Sequence, residues 1–160
     1  MAVPEQRPPM DRAQEAFDGL RLGVDVSFES IVSHVEQLRT RRIIIEESQD
    51  LASITTCGLW LSQDDAELVF HRPASSELHR QQIILHELAH MVLRHDETLV
   101  SVDYAKVLFP DLDGERVRSA LARDVFERED EIVAELLADL LSAAIRNSDG
   151  EYGGYGEVFG

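Results

Sequence analysis

The feature that most restricts this chain is a short apolar run with three polar groups set into it: Ile83-Ile84-Leu85-His86-Glu87-Leu88-Ala89-His90-Met91-Val92-Leu93. Pro73 ends whatever precedes it, and Ser75 or Ser76 offers a cap, so the pattern predicts a buried helix running to about His95. On a helix, positions four apart lie about 40° apart around the axis, so the imidazoles of His86 and His90 emerge on one face. Burying two histidines and a glutamate is costly unless those groups have partners. The fold must therefore set this face against something that satisfies them.

The rest of the chain supplies the frame. Asp11–Leu20 reads as a short helix. Ser27 caps a second helix reaching about Arg39, with Phe28, Ile31, Val32, Val35 and Leu38 at helical spacing. Arg42–Glu46 carries three consecutive isoleucines, a β-branched run read as a buried strand. Cys57–Leu61 and Glu67–His71 flank the polar turn Ser62-Gln63-Asp64-Asp65, which predicts a β-hairpin. A long helix is expected over roughly Gly114–Asn147, broken near Arg128–Asp130. Helices, then a small antiparallel meander, then helices make an α+β layout. Residues 1–10, with three prolines, are expected to form a flexible N-terminus, and residues 148–160, with five glycines in 13 positions, a flexible Gly-rich tail. Residues 11–147 are expected to form one compact domain.

Charge and cysteine content narrow the partners. Thirty-one acidic residues against 15 basic ones give a formal charge of −16. Such a surface repels phosphate backbones and anionic headgroups, which argues against nucleic acid or membrane as partner, and it suits a neutral or basic protein. The single cysteine, Cys57, excludes an intramolecular disulfide. No apolar run approaches the roughly 18 residues of a membrane span, and Met1–Met10 lacks the hydrophobic stretch of a secretory signal. The expectation is a cytoplasmic protein.

His86 and His90 have the spacing of zinc ligands, since both imidazoles can reach one ion and zinc takes neutral imidazole nitrogen well. Glu87 follows the first ligand, so its carboxylate flanks the metal and can accept a proton from water activated there. A catalytic site needs a third protein ligand. Asp96, six residues past His90, matches the position used by metzincins and, as aspartate, by snapalysin-like proteases, but Leu93 stands where those families need a turn-forming glycine. The stronger candidate is Glu131 in Glu131-Ile-Val-Ala134-Glu135-Leu-Leu-Ala138, where Glu131, Ala134, Glu135 and Ala138 share one helix face and the small alanines allow close approach to the histidine helix. Glu135 is the reserve ligand, or a carboxylate bonded to a ligand histidine; Glu127 and Glu129 read as solvated surface.

These segments together resemble the ImmA/IrrE family of small bacterial metallopeptidases. The resemblance rests on Ile84-Leu85-His86-Glu87-Leu88-Ala89-His90, on Leu93-Arg-His95-Asp96, and on Glu131-x-x-Ala134-Glu135-x-Leu137-Ala138, and it covers about residues 27–145. It implies a compact zincin-like fold of gluzincin type, with His86, His90 and Glu131 on Zn²⁺ and Glu87 as catalytic base. Val133 stands where many members have a glutamate. The resemblance also implies an endopeptidase acting on a specific protein, in this family often a helix-turn-helix repressor. The alternative expectation is a non-proteolytic, zinc-containing regulator that binds such a partner. A third is a secreted snapalysin-like protease using Asp96.

The other histidines carry weaker signals. His79 reads as a capping or surface residue and His95 as a cation closing its helix. His71, at a strand end, is within reach of an oxyanion, and His34 reads as surface. Trp60 and Cys57 are assigned to core packing, the hairpin Cys57–His71 to pairing with an extended substrate. Tyr152, Tyr155 and Phe159 either dock in a groove or belong to the flexible tail.

Overall fold

The computed structural model describes residues 7–49, 58–63, 65–95 and 128–159, with side chains from Glu129 to Ser148 in the last stretch. Helix α1 spans Pro9–Leu20, with a proline in its first turn where no amide hydrogen is needed. Helix α2 spans Phe28–Arg39 and opens on a reciprocal cap: the Ser30 amide donates to Ser27 Oγ at 3.0 Å and the Ser27 amide to Ser30 Oγ at 2.9 Å. It stops at Thr40, which is left-handed at φ 54°. Strands β1 (Arg42–Glu47), β2 (Gly58–Ser62) and β3 (Ala66–His71) follow, then helix α3 (Glu77–Val92), capped by Ser76, and helix α4 (Arg128–Phe159).

The sheet departs from the antiparallel meander expected of the sequence. β2 and β3 do form the hairpin, with Gly58 opposite His71 and Ser62 opposite Glu67. β1, however, lies beside β3 rather than β2, in the order β1-β3-β2, and the β1–β3 pair is parallel. The small sheet is therefore mixed. β2, antiparallel on the far edge of β3, returns the chain so that β3 can run parallel to β1. The isoleucine run does not distinguish the two directions of pairing, because its side chains serve either. Nor is β1 fully buried: Ile43, Ile44 and Ile45 are half-buried on what is an edge strand.

Helix α3 lies at the centre, with α4 on one side, β2 and β3 on another, and α2 also against it; α1 packs on α4. The core is continuous across these contacts, drawing on Ile31 and Val35 of α2, Trp60 and Val69 of the sheet, Ile84, Leu85, Leu88 and Met91 of α3, and Val133, Ala134, Leu137, Ala138 and Leu141 of α4. Val133 is fully buried here, so an apolar residue suits its place. Ala134 and Ala138 are also fully buried in the face of α4 that meets α3. Leucine at Ala134 is expected to overpack that contact and cost roughly 1–3 kcal/mol, read as a lowered midpoint in denaturant.

Helix α4 runs to Phe159, past the Asn147 at which the glycine content placed its end. An anchor explains the continuation. The Val26 amide donates to Ser148 Oγ at 2.9 Å, and Ser148 Oγ donates to the Val24 carbonyl at 3.0 Å, so the α1–α2 connection holds the helix beyond Asn147. Past that point, glycine lowers helix propagation by about 1 kcal/mol per residue without forbidding it. The predicted segment over residues 114–127 and Cys57 lie outside the described residues.

A charged knot fixes the sheet to α2. Glu67 is fully buried on β3, where its Oε1 accepts from Arg39 Nη2 at 2.9 Å, Arg41 Nη1 at 3.0 Å and Ser62 Oγ at 3.1 Å, while Trp60 Nε1 donates to its Oε2. The Arg39 guanidinium also lies 5.1 Å from the Trp60 ring centroid. Removing the carboxylate would strand buried guanidinium and indole donors, so Glu67→Ala is expected to destabilise by roughly 3–5 kcal/mol in equilibrium unfolding.

Candidate metal centre

The predicted helix places His86 and His90 one turn apart on α3, and α4 brings Glu131 to them. His86 Nε2 and His90 Nε2 are 3.1 Å apart. Glu131 Oε2 lies 3.1 Å from His86 Nε2, and Glu131 Oε1 lies 3.4 Å from His90 Nε2. One ligand atom from each of the three residues falls within 4.8 Å of the others, a group that can hold a metal ion. His90 is fully buried, whereas His86 and Glu131 keep side-chain exposures of 26% and 38%, so the group is open to solvent at those two residues.

The donor set fits a cation better than a hydrogen-bond network. A neutral imidazole nitrogen either carries a proton or accepts one. Here two Nε2 atoms and a carboxylate face the same point, and protons alone leave acceptor against acceptor or donor against donor. A shared cation satisfies all three lone pairs at once. Burial opposes ionisation of Glu131, yet the hydrogen bonds and charges of His86 and His90 hold its carboxyl far below the usual carboxylate range, so it stands there as a carboxylate.

The alternatives for the third ligand separate by position. Glu135 is exposed and lies outside the group. The buried face of α4 is centred on Ala134, Leu137, Ala138 and Leu141, with Glu131 on its rim, and Glu135 sits about 40° further towards solvent. The reading that put Glu135 on the shared face is corrected accordingly. Asp96 and Glu127 lie outside the described residues. Glu129, half-buried, approaches Arg12 Nη1 of α1 at 3.6 Å.

Glu87 is 1% exposed and is not one of the three converging ligands. Its carboxylate lies against the start of β2: a Cβ built on Gly58 would stand 3.0 Å from Glu87 Oε1, 3.0 Å from Ile83 Cγ2 and 3.2 Å from the Phe70 carbonyl. The missing side chain at Gly58 thus leaves room for the Glu87 carboxylate, a role that composition alone does not reveal. Alanine at Gly58 is expected to displace that carboxylate and cost about 1–3 kcal/mol, because the Phe70 backbone cannot yield as a side chain can. Paired thermal melts and metal titrations of Gly58→Ala should show lost stability with metal binding largely kept.

His95 is the second residue that sequence reasoning misplaced. It is not a solvent-facing cation closing α3. The helix ends at Val92, Arg94 turns left-handed at φ 58°, and His95 comes back to lie buried against His90, with their Nδ1 atoms 2.7 Å apart. Burial, and then the neighbouring His90, lower its pKa from 6.5 to about 4, so it is neutral at physiological pH. Its Nε2 lies 3.7 Å from Asp130 Oδ1.

The remaining histidines take modest roles. His34 is half-buried and its Nδ1 donates to the Ser30 carbonyl at 2.8 Å; buried His71 donates from Nδ1 to the Arg72 carbonyl at 2.9 Å. His79 is exposed in the first turn of α3, and its amide donates to the capping Ser76 Oγ. Among the described residues no helix is long and apolar enough to cross a membrane. No family model matches this chain, and neither a curated protein nor a solved structure matches it at a significant level.

Proposed function

We propose that this chain is a zinc-dependent endopeptidase in which His86, His90 and Glu131 hold the ion and Glu87 is the general base. The observation that carries this reading is the convergence of two imidazole nitrogens and a carboxylate from two helices, with a further glutamate adjacent to the first histidine. The chemistry zinc supplies when bound to such a set is polarisation of a carbonyl and acidification of water towards neutral pH. Glu87 takes a proton from the attacking water and returns it to the departing amine, so hydroxyl adds to the carbonyl carbon as the C–N bond breaks. The open space at Gly58 leaves room for its carboxylate at the buried start of β2. His86 and His90 would hold the ion through Nε2, and the exposed side of Glu131 and His86 admits the substrate.

The substrate we propose is a basic protein, a helix-turn-helix repressor being the class implied by the resemblance to ImmA/IrrE peptidases. The acidic surface, −16 overall, supports a basic partner by long-range attraction. The test is to incubate zinc-loaded protein with a proteome-derived peptide library and with basic helix-turn-helix proteins, reading new termini by mass spectrometry. Cleavage that chelator abolishes and zinc restores is expected. Binding of the basic proteins without any new termini would instead support a non-proteolytic regulator.

A further inference from the structure

We propose that His95 is the positioning residue of this metal centre: it accepts a hydrogen bond from His90 Nδ1, and its other ring nitrogen faces Asp130. The inference rests on the metal-site reading above and concerns what keeps His90 ready for the ion. His90 has only two ring nitrogens, and the one facing Glu131 and His86 is Nε2. For that nitrogen to offer its lone pair from a neutral ring, the proton must sit on Nδ1. Nδ1 in turn faces His95 Nδ1 at 2.7 Å, a distance at which one nitrogen donates and the other accepts. His95 must therefore be the acceptor, and its own proton then lies on Nε2, which points towards Asp130 Oδ1 at 3.7 Å.

The order of protons runs one way along the chain His90, His95, Asp130. Arg12 of α1 continues it, with Nη2 3.5 Å from the same Asp130 oxygen. Each link is set by a different element: His90 by α3, His95 by the left-handed turn at Arg94, Asp130 by the first turn of α4 and Arg12 by α1. Asp130 immediately precedes the ligand Glu131, so one helical turn supplies both a ligand and the carboxylate that faces another ligand's orienting partner. Partners of this kind fix the ring and tautomer of a ligating histidine and raise its basicity.

The test compares two replacements of His95 by zinc affinity, measured by competition with a chelating dye. His95→Phe keeps the ring volume and removes the acceptor; zinc affinity is expected to fall on the order of 10–100-fold. His95→Asn loses volume but carries an amide oxygen near the position of Nδ1, and its affinity is expected within about threefold of wild type. A packing role predicts the reverse order. The Co²⁺-loaded proteins give a second readout, with the visible spectrum altered in His95→Phe and close to wild type in His95→Asn. Should His95→Phe fail to fold, the half-exposed Asp130 carries the test, and Asp130→Ala is expected to weaken zinc by about tenfold. Wild-type affinity in His95→Phe, or equal loss in both His95 variants, would overturn the inference while leaving the metal site standing. A wild-type protein that binds no zinc would overturn the metal-site reading itself.

Discussion

Replacing Glu87 by glutamine is expected to leave zinc bound and to slow peptide hydrolysis by about 10²–10⁴-fold, the usual contribution of a positioned general base. Glutamine keeps the length and shape of the side chain, so the packing against Gly58 survives. It cannot take up a proton from water under these conditions, and that is the property the mechanism needs. Because Glu87 is outside the group formed by His86, His90 and Glu131, metal content should not change. The two readouts must be taken on one preparation: zinc per chain, and turnover of whichever peptide the library identifies. Full turnover with zinc in place would remove Glu87 from the mechanism. Loss of zinc would show that Glu87 supports the ligands instead.

Zinc is expected to stabilise the fold strongly near neutral pH and to lose that effect in acid. At a free concentration a thousandfold above Kd, a ligand that binds only the folded state adds about 4.1 kcal/mol. Both histidine ligands must be neutral to bind, so protons compete with the metal as pH falls. The increment is therefore largest at the alkaline end of the series and shrinks in acid. The metal-free protein has its own, smaller dependence with the same sign. Burial lowers the His95 pKa to about 4, so between about 6.5 and 4 the unfolded chain holds a proton that the folded chain does not. Stability then falls as pH falls through that window, with a slope of at most about 1.4 kcal/mol per pH unit. Glu131 extends the loss further into acid, because its depressed folded pKa favours the folded state only while the carboxylate is ionised. Melting curves from pH 8 to pH 4.5, with zinc and with chelator, should converge at the acid end. Superposition of the two series at pH 8 would contradict zinc binding to the folded state.

Much of the site was legible because helical geometry is local. His86 and His90 are related by a fixed rotation, so their sequence spacing determines their spatial one, and the apolar residues around them place the pair indoors. Glu131 was legible for a related reason: alanines three and seven residues later mark the face of α4 that meets α3, and both are fully buried. The same reasoning failed by one step at Glu135, since the buried face is centred away from both glutamates and only the nearer one reaches the histidines.

What the sequence hid depends on non-local geometry. His95 follows His90 by five residues, a spacing that on a continuing helix would not bring it back; the left-handed turn at Arg94, a residue with no preference for that region, does so. The parallel pairing of β1 with β3 depends on β2 taking the far edge of β3, which no residue within the isoleucine run encodes. Glu67 and its arginines come from α2, β3 and the segment just before β1, and their burial shows only once those are assembled. Gly58 looks like an ordinary strand-edge glycine until the Glu87 carboxylate is seen beside it.

The central claim is that His86, His90 and Glu131 hold one zinc ion between two helices. Its most direct measurement is the metal content of the purified wild-type protein beside Glu131→Ala and Asp96→Ala, each equilibrated with limiting zinc. About one zinc per chain is expected in the wild type and in Asp96→Ala, and strongly depleted zinc in the folded Glu131→Ala variant. Wild-type zinc content in Glu131→Ala, or its loss in Asp96→Ala alone, would contradict the account.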